Sequence, residues 1–174
     1  MIDTRLTTPH EPCIDLRVLQ VSADDLDRCL QVRDMCACNQ LRRASRGVTQ
    51  HYETGMAPGG IKVTQLPILV ALGSEGDMPI TRLAGALSLE RTSLTRNLSV
   101  LEGRGLISIV DRQDDARVRM VGLTRAGARV LAGALGYWRE MQNAVEEQFG
   151  RPRLEALYDE LEALSDAVSD RPGT

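Results

Sequence analysis

Between residues 79 and 124, the spacing of apolar side chains predicts two short helices. In each helix apolar side chains recur every three or four residues, which places them on one helical face. The first set is Ile80, Leu83, Ala84 and Leu87, and the second set is Leu94, Leu98 and Leu101. A turn around residues 88–89 separates the helices. The second helix is expected to run from about Leu89 to Gly103, since glycine favours a helix stop.

Two apolar runs follow and predict a β-hairpin. Residues 106–110 and 118–123 are rich in valine, isoleucine and leucine, which is typical of short strands. The polar segment between them, residues 111–117, carries Arg112 and Arg117. A hairpin with arginines at its tip, directly after a helix-turn-helix, predicts a wing. Such a wing lays an arginine along the DNA backbone or into the minor groove.

The outer face of the second helix predicts contacts with the DNA major groove. Short hydroxyls, arginines and an amide come together there, and short polar side chains reach base edges and phosphates without filling the groove. The alternative interpretation is that these side chains only keep a surface helix soluble. The residues are Arg91, Thr92, Ser93, Thr95, Arg96 and Asn97.

The order and spacing of these segments resemble the multiple-antibiotic-resistance regulator (MarR) family. The resemblance extends from about residue 24 to residue 168. It implies a winged-helix homodimer that represses transcription and leaves DNA when a small ligand binds or when the protein is oxidised. It also implies that Arg117 approaches the minor groove and that Asp115 orients the wing arginines. The matching residues are Thr92 to Asn97, Leu101-Glu102, Arg104-Gly105-Leu106, Asp115 with Arg117, and Leu123-Thr124 with Gly127.

Helical spacing in the rest of the chain predicts a mainly α protein. After an N-terminal arm, residues 1–21, we expect one domain over residues 22–174. Within it, dimerisation helices over 22–55 and 125–170 flank a winged-helix lobe over 62–124, and the wing is a two-stranded β-hairpin.

Two helices before the helix-turn-helix follow from the same spacing. One long helix is expected from Ala23 to about Thr54, and a shorter one from Val63 to Leu72. The turn-rich segment 55–60 separates them. The glycine-containing segment 73–77 is expected to break the chain before the helix-turn-helix.

Charge is distributed in favour of DNA binding although the whole chain has a net charge of −3. Residues 79–125 contain eight arginines and five acids, which gives +3 for that segment and −6 for the remainder. A basic segment attracts the phosphate backbone, so we expect salt-sensitive binding to double-stranded DNA, with an inverted-repeat operator for a homodimer.

Other function classes find little support in the sequence. The chain lacks the GxxxxGK[ST], GxGxxG, HExxH and GxSxG motifs of common enzyme classes. We therefore predict a protein that is not an enzyme and uses no cofactor. A purely structural dimerisation module is the other class to weigh, but it would need neither the polar helix face nor the arginine wing. The chain contains no apolar run that would span a membrane and no signal peptide, so a cytoplasmic location is expected.

The cysteines are candidates for a regulatory site. Cys13, Cys29, Cys36 and Cys38 all lie near the N-terminus, and a cytoplasmic protein seldom uses structural disulfides. Cys36 and Cys38 point about 200° apart around a helix and cannot hold one metal ion together. We therefore predict no metal site.

Around Cys38 the sequence resembles the organic-hydroperoxide branch of the MarR family, which has a reactive cysteine there. The resemblance implies tyrosines four and fourteen residues later, where this chain has Arg42 and Tyr52. The alternative is that Cys38 is a small buried apolar residue.

A small-molecule effector is a further alternative. Guanidinium groups on the first helix would suit an aromatic carboxylate or another organic anion, although they also fit a solvated basic face. The candidate residues are Arg42, Arg43, Arg46, His51 and Tyr52. The sequence leaves the choice between ligand and oxidant open.

Overall fold

The computed structural model describes residues 22–87, 89–112 and 114–169. The predicted N-terminal arm with Cys13, the turn residue Ser88 and the tip residue Gln113 lie outside these ranges. The mainly α winged-helix fold class is confirmed. The elements are α1 (Ala23–Met35), α2 (Ala37–Met56), a 3-10 turn (Ala57–Gly59), α3 (Leu66–Glu75), β1 (Met78–Pro79), α4 (Ile80–Ala86), α5 (Arg91–Gly103), β2 (Ile107–Arg112), β3 (Asp115–Leu123), α6 (Arg125–Phe149) and α7 (Arg151–Ser169).

The chain divides between Arg46 and Gly47 into two compact units. The first contains α1 and the first half of α2. The second contains the rest of α2 and all later elements. The single domain expected over residues 22–174 stays a prediction.

In the first unit, the prediction of one continuous helix over residues 23–54 is wrong. Cys36 has an extended backbone, with φ −68° and ψ 112°, and it separates α1 from α2. The Cys36 N–H still donates to the Val32 carbonyl, and the Gln40 side-chain amide donates to the Asp34 carbonyl at 2.9 Å. These bonds satisfy carbonyl groups that the end of α1 would otherwise leave without partners. The helical spacing of apolar residues continues across the break, so the pattern could not reveal it.

The core of the second unit lies between α3, α4, α5 and the sheet. Its side chains are aliphatic or methionine, as the low aromatic content indicates. The predicted apolar stripe of α5 is buried, which confirms that this helix presents one face to the core. The largest fully buried side chains are Met56, Ile68, Leu69, Met78, Leu83, Leu94, Leu101 and Val121.

Helix α3 begins and ends three residues later than the predicted 63–72. Before it, the Val63 N–H donates to the Glu53 carboxylate at 3.0 Å and holds the chain in a turn. Pro67 then occupies the first turn of α3, where a missing N–H costs nothing. Residues 73–75 belong to the helix, so the predicted break is confined to Gly76, whose φ is +79°.

The wing belongs to a three-stranded antiparallel sheet with the order β1-β3-β2. The sequence did not predict strand β1, because a strand of only two residues has no periodic pattern. The wing strands are longer than predicted, so the expected polar tip over residues 111–117 is wrong. Asp111 pairs with Arg119, and a bulge then brings Arg112 opposite Asp115. The backbone pairing therefore continues through polar residues that the apolar pattern did not assign to a strand.

Helix α6 begins at the predicted position. The Thr124 hydroxyl accepts the Gly127 N–H at 3.0 Å and donates to the Gly105 carbonyl at 2.8 Å. A Cβ atom at position 127 would collide with the Leu106 carbonyl, so glycine is needed there. These residues anchor α6 against the start of β2. None of the helices in the described ranges is long and apolar enough to cross a membrane.

Candidate nucleic-acid interface

The outer face of α5 carries exposed side chains that can form hydrogen bonds. Leu94, Leu98 and Leu101 fix the opposite face in the core. The exposed residues, as predicted for a recognition helix, are Arg91, Thr92, Ser93, Thr95 and Arg96. The Thr95 hydroxyl donates to the Arg91 carbonyl at 2.8 Å, which leaves its lone pairs and γ-methyl group facing outward. This face can therefore offer donors, acceptors and small apolar groups to a partner.

Asn97 differs from its neighbours because its side-chain amide forms hydrogen bonds with other residues of the protein. It is half-buried, its Nδ2 donates to the Ser93 carbonyl at 3.0 Å, and its Oδ1 accepts the Thr64 hydroxyl at 3.4 Å. Thr64 lies in the turn before α3, so Asn97 links α5 to that turn. The contact joins residues 33 positions apart, and the local pattern gave no signal of it.

The C-terminal end of α5 is fixed by Arg104, which the sequence indicated only as part of the family motif. Arg104 Nη1 donates to the Gly60 carbonyl at 2.8 Å. Gly60 has a φ of +66°, a conformation that glycine adopts without strain. Arg104 is thus a positioning residue for α5.

At the tip of the wing, Arg112 is held by an acid. Its Nε and Nη2 atoms donate to the two carboxylate oxygens of Asp114 at 2.6 and 2.7 Å. These hydrogen bonds hold the pKa of the Asp114 carboxyl below its usual value and raise the pKa of Arg112. Asp115 was expected to orient the wing arginines, and its carboxylate accepts the backbone N–H of Arg117 at 3.0 Å.

The base of the wing forms a basic groove with the helix-turn-helix. This groove, of about 490 Å³, lies between the start of α4, the start of α5 and strand β3. Among the described residues, no acid lies within 4.0 Å of the guanidinium nitrogens of its three arginines. An uncompensated cluster of this kind attracts a phosphate. The lining residues are Pro79, Ile80, Thr81, Arg91, Thr95, Arg117, Val118 and Arg119.

Comparisons with known proteins agree with this geometry. The sequence model of the MarR family matches residues 61–118. The transcriptional regulator MosR of M. tuberculosis, solved in complex with DNA, is 33% identical, with a TM-score of 0.67 over 76% of this chain and 98% of MosR. This chain belongs to the MarR family. It is therefore a DNA-binding transcriptional regulator, and the predicted family is confirmed.

Two further relatives extend the comparison. YhbI of Bacillus subtilis strain 168, an HTH-type transcriptional regulator, is 27% identical over 148 residues, which are 81% of this chain and 96% of YhbI. The transcriptional repressor CouR, solved with a 23-mer DNA duplex, is 25% identical. Its TM-score is 0.71 over 78% of this chain and 96% of CouR. The similarity thus covers far more of the MarR fold than the helix-turn-helix and wing.

The predicted effector residues of this MarR chain fall on both sides of the division in α2. In the first unit, Cys38, Arg42, Arg43 and Arg46 are all exposed. Cys38 is exposed on the single chain, and the choice between a reactive and a packed cysteine stays a prediction. Across the described ranges, no group of three or more His, Cys, Asp or Glu side chains forms a metal site.

In the second unit, His51 and Tyr52 both contact α6. The Nε2 atom of His51 lies 3.3 Å from the Met141 carbonyl, and the Tyr52 hydroxyl donates to the Gln142 side chain at 2.5 Å. Burial raises the pKa of the Tyr52 hydroxyl. Because the Tyr52 hydroxyl donates its hydrogen bond to Gln142, its partner is an amide oxygen and not a thiol. A groove of about 400 Å³ beside His51 is lined by Gly47, Val48, His51, Val145, Gln148 and Phe149.

A further concave surface in this unit was not expected from the sequence. A cleft of about 330 Å³ lies between α3 and α6, and its walls are almost entirely apolar. Its residues belong to helices separated by some 60 positions, so only the fold brings them together. The lining residues are Leu66, Pro67, Val70, Leu135 and Trp138.

Proposed function

We propose that this MarR-family protein is a homodimeric repressor that binds an inverted-repeat operator and releases it when a small organic molecule binds. The exposed outer face of α5, backed by a buried leucine stripe, is the observation that carries this proposal. In it, Arg91, Thr92, Ser93, Thr95 and Arg96 contact the major groove, Asn97 positions the helix, and the wing contacts the backbone or minor groove through Arg117. Asp115 holds the backbone of Arg117, and Arg112 lies at the tip of the wing in a salt bridge with Asp114.

The apolar surface of α7 supports the homodimer. Its side chains recur at three- and four-residue steps along one face, which is the spacing of a helix that packs against another helix. Four of them are 38% to 63% exposed on the single chain, so this face is available to a second copy. Two paired α5 helices would then read half-sites one DNA turn apart. The four residues are Leu157, Leu161, Leu164 and Val168.

A substitution in the middle of this stripe tests the dimer. We expect Leu161→Asp to convert the dimer to a monomer in light scattering, because a carboxylate would be buried without a partner. The same variant should bind a duplex with two half-sites much more weakly. Glu162→Gln, which alters an exposed neighbour, is the matched control and should remain dimeric. A monomeric wild type would overturn the proposal.

Release by an organic ligand has two candidate sites in the second unit. The groove at His51 offers a polar rim, and the apolar cleft at Trp138 suits an aromatic ring. Trp138 is the single tryptophan of the chain, so its fluorescence reports binding in the cleft. In the first unit, the exposed Arg42, Arg43 and Arg46 form a separate candidate site for an organic anion.

Benzoate and its hydroxylated derivatives are the first probes for the ligand. We expect one of them to change Trp138 fluorescence and to release DNA over the same concentration range. Trp138→Phe is the control for the optical signal. If the fluorescence changes without DNA release, the cleft binds ligands but is not the effector site.

A second candidate mechanism is oxidation at Cys38, and the exposure of this thiol favours it. A hydroperoxide would oxidise the thiolate to a sulfenic acid and be reduced to the alcohol or water. Peroxide should then release wild type from DNA and leave Cys38→Ser bound. Cys29→Ser is the matched control because Cys29 is also an exposed thiol of the first unit. Equal release of wild type and Cys38→Ser would overturn this mechanism.

A further inference from the structure

The outer face of α5 changes character along its length. Its first two turns carry Arg91, Thr92, Thr95 and Arg96, whereas its last turns carry Ser99, Val100 and Gly103. The other large apolar residues of α5 are buried at Leu94, Leu98 and Leu101, but Val100 is 45% exposed. Val100 is therefore the apolar side chain that the core does not use.

Val100 lies among the polar residues that face outward. It follows Arg96 by four positions and Thr92 by eight, and residues at this spacing stand above one another on a helix. Together with Ser99 they line the same open concave surface. A duplex that lies along this face and contacts Arg96 and Thr92 can reach Val100 as well.

The neighbouring residues are small enough to allow a close approach. A Cβ atom at Gly103 would have no heavy atom within 4 Å, so the end of the helix presents bare backbone to its surroundings. Ser99 adds only a hydroxymethyl group. The branched side chain of Val100 therefore stands out between Ser99 and Gly103.

The major groove offers one apolar group to such a side chain. Base edges present nitrogen and oxygen donors and acceptors, and the exception is the 5-methyl group of thymine. We propose that Val100 contacts the 5-methyl group of a thymine and so determines specificity at one position of each half-site. This inference rests on the proposed readout of DNA by α5.

The test uses a duplex selected from a random-sequence library by the full-length protein. Each thymine is replaced in turn by deoxyuridine, which removes only the methyl group. We expect one position in each half-site at which this change weakens wild-type binding by about fourfold, the factor that corresponds to one buried methyl group. Val100→Ala should weaken binding to the parent duplex by a similar factor, since it removes the other side of the contact.

The combination of the two changes is decisive. If the contact exists, Val100→Ala should show no further loss on the deoxyuridine duplex. Ser99→Ala is the matched control and should keep the full thymine preference. The inference is overturned if no deoxyuridine position weakens wild type, or if Val100→Ala keeps the full effect. A selection that enriches no sequence would instead overturn the proposed function itself, and this inference with it.

Discussion

The outer face of α5 and the wing both carry arginines, but the two surfaces hold their charge differently. On α5, Arg91 and Arg96 are exposed, and no described acid lies within 4.0 Å of either guanidinium. On the wing, acids lie among the arginines, and Asp114 forms a bidentate salt bridge with Arg112 at the tip. The number of arginines on a segment therefore overstates the charge that it can offer to a phosphate.

The wing itself shows this difference between its tip and its base. Arg112 would have to give up two charge-assisted hydrogen bonds before it could bind DNA. Arg117 and Arg119 line the basic groove together with Arg91 and need not break such bonds. We therefore expect α5 to supply sequence preference, the base of the wing to supply general affinity, and the tip to contribute least.

The largest effect is expected from Arg96→Ala. Removing a side chain that reads a base should lower affinity for a selected duplex by roughly 10- to 100-fold. Affinity for a scrambled duplex should fall much less, so the ratio of the two affinities should drop. Fluorescence anisotropy with both duplexes measures this ratio. Arg96→Lys, which keeps the charge but loses the planar fork, is the matched control and should retain affinity for the scrambled duplex.

A smaller and uniform effect is expected from Arg117→Ala. The variant should lose about tenfold in affinity for the selected and the scrambled duplex alike. Its plot of log affinity against log salt should become shallower by about 0.9, the value for one lost phosphate contact. Arg112→Ala is the control at the tip and should lose less. An equal or greater loss for Arg112→Ala would contradict the distinction between tip and base.

An increase in affinity is expected from Asp114→Asn. The change removes the carboxylate that holds Arg112, so binding at low salt should tighten by about two- to threefold. Asp111→Asn removes the same charge from the same strand pair without touching the Arg112 contact. If both variants tighten binding equally, the cause is the net charge of the wing and not the release of Arg112.

The smallest expected effect concerns pH. Because Arg112 lowers the pKa of Asp114, the ion pair is fully formed above the ordinary carboxyl pKa and is lost only as pH falls through the lowered value. The ratio of Asp114→Asn to wild-type affinity should therefore be the same at about pH 5.5 and about pH 8. A ratio that approaches one at the lower pH would show that Asp114 is protonated there.

The sequence predicted the elements whose pattern is local. The leucine stripe of α5 and the apolar face of α4 repeat at helical spacing. The α5 stripe is buried, and the α4 face packs on the core through buried Leu83 with half-buried Ile80, Ala84 and Leu87. The start of α6 was predicted from helical spacing, and the hydrogen bond between Thr124 and Gly127 that caps it is likewise local. The family resemblance included Leu94, Leu101, Thr124 and Gly127 among its matching residues.

The features that the sequence did not predict depend on contacts between distant residues or on polar residues that continue a strand. The contact between Asn97 and Thr64 and the break at Cys36 gave no periodic signal. The wing ladder extends through Asp111 and Asp115, which are polar and therefore gave no strand signal. The tip pair of Arg112 with Asp114 likewise required knowledge of the register shift between Asp111 and Arg112.

The most direct test of DNA readout by α5 is wild-type affinity for the selected duplex and for its scrambled counterpart at about 50 and about 200 mM salt. We predict that the selected duplex binds at least about 1,000-fold more tightly, and that both affinities fall as salt rises. Equal affinities for the two duplexes would contradict sequence readout by α5. Affinities that do not change with salt would contradict the contact between the basic groove and the phosphate backbone.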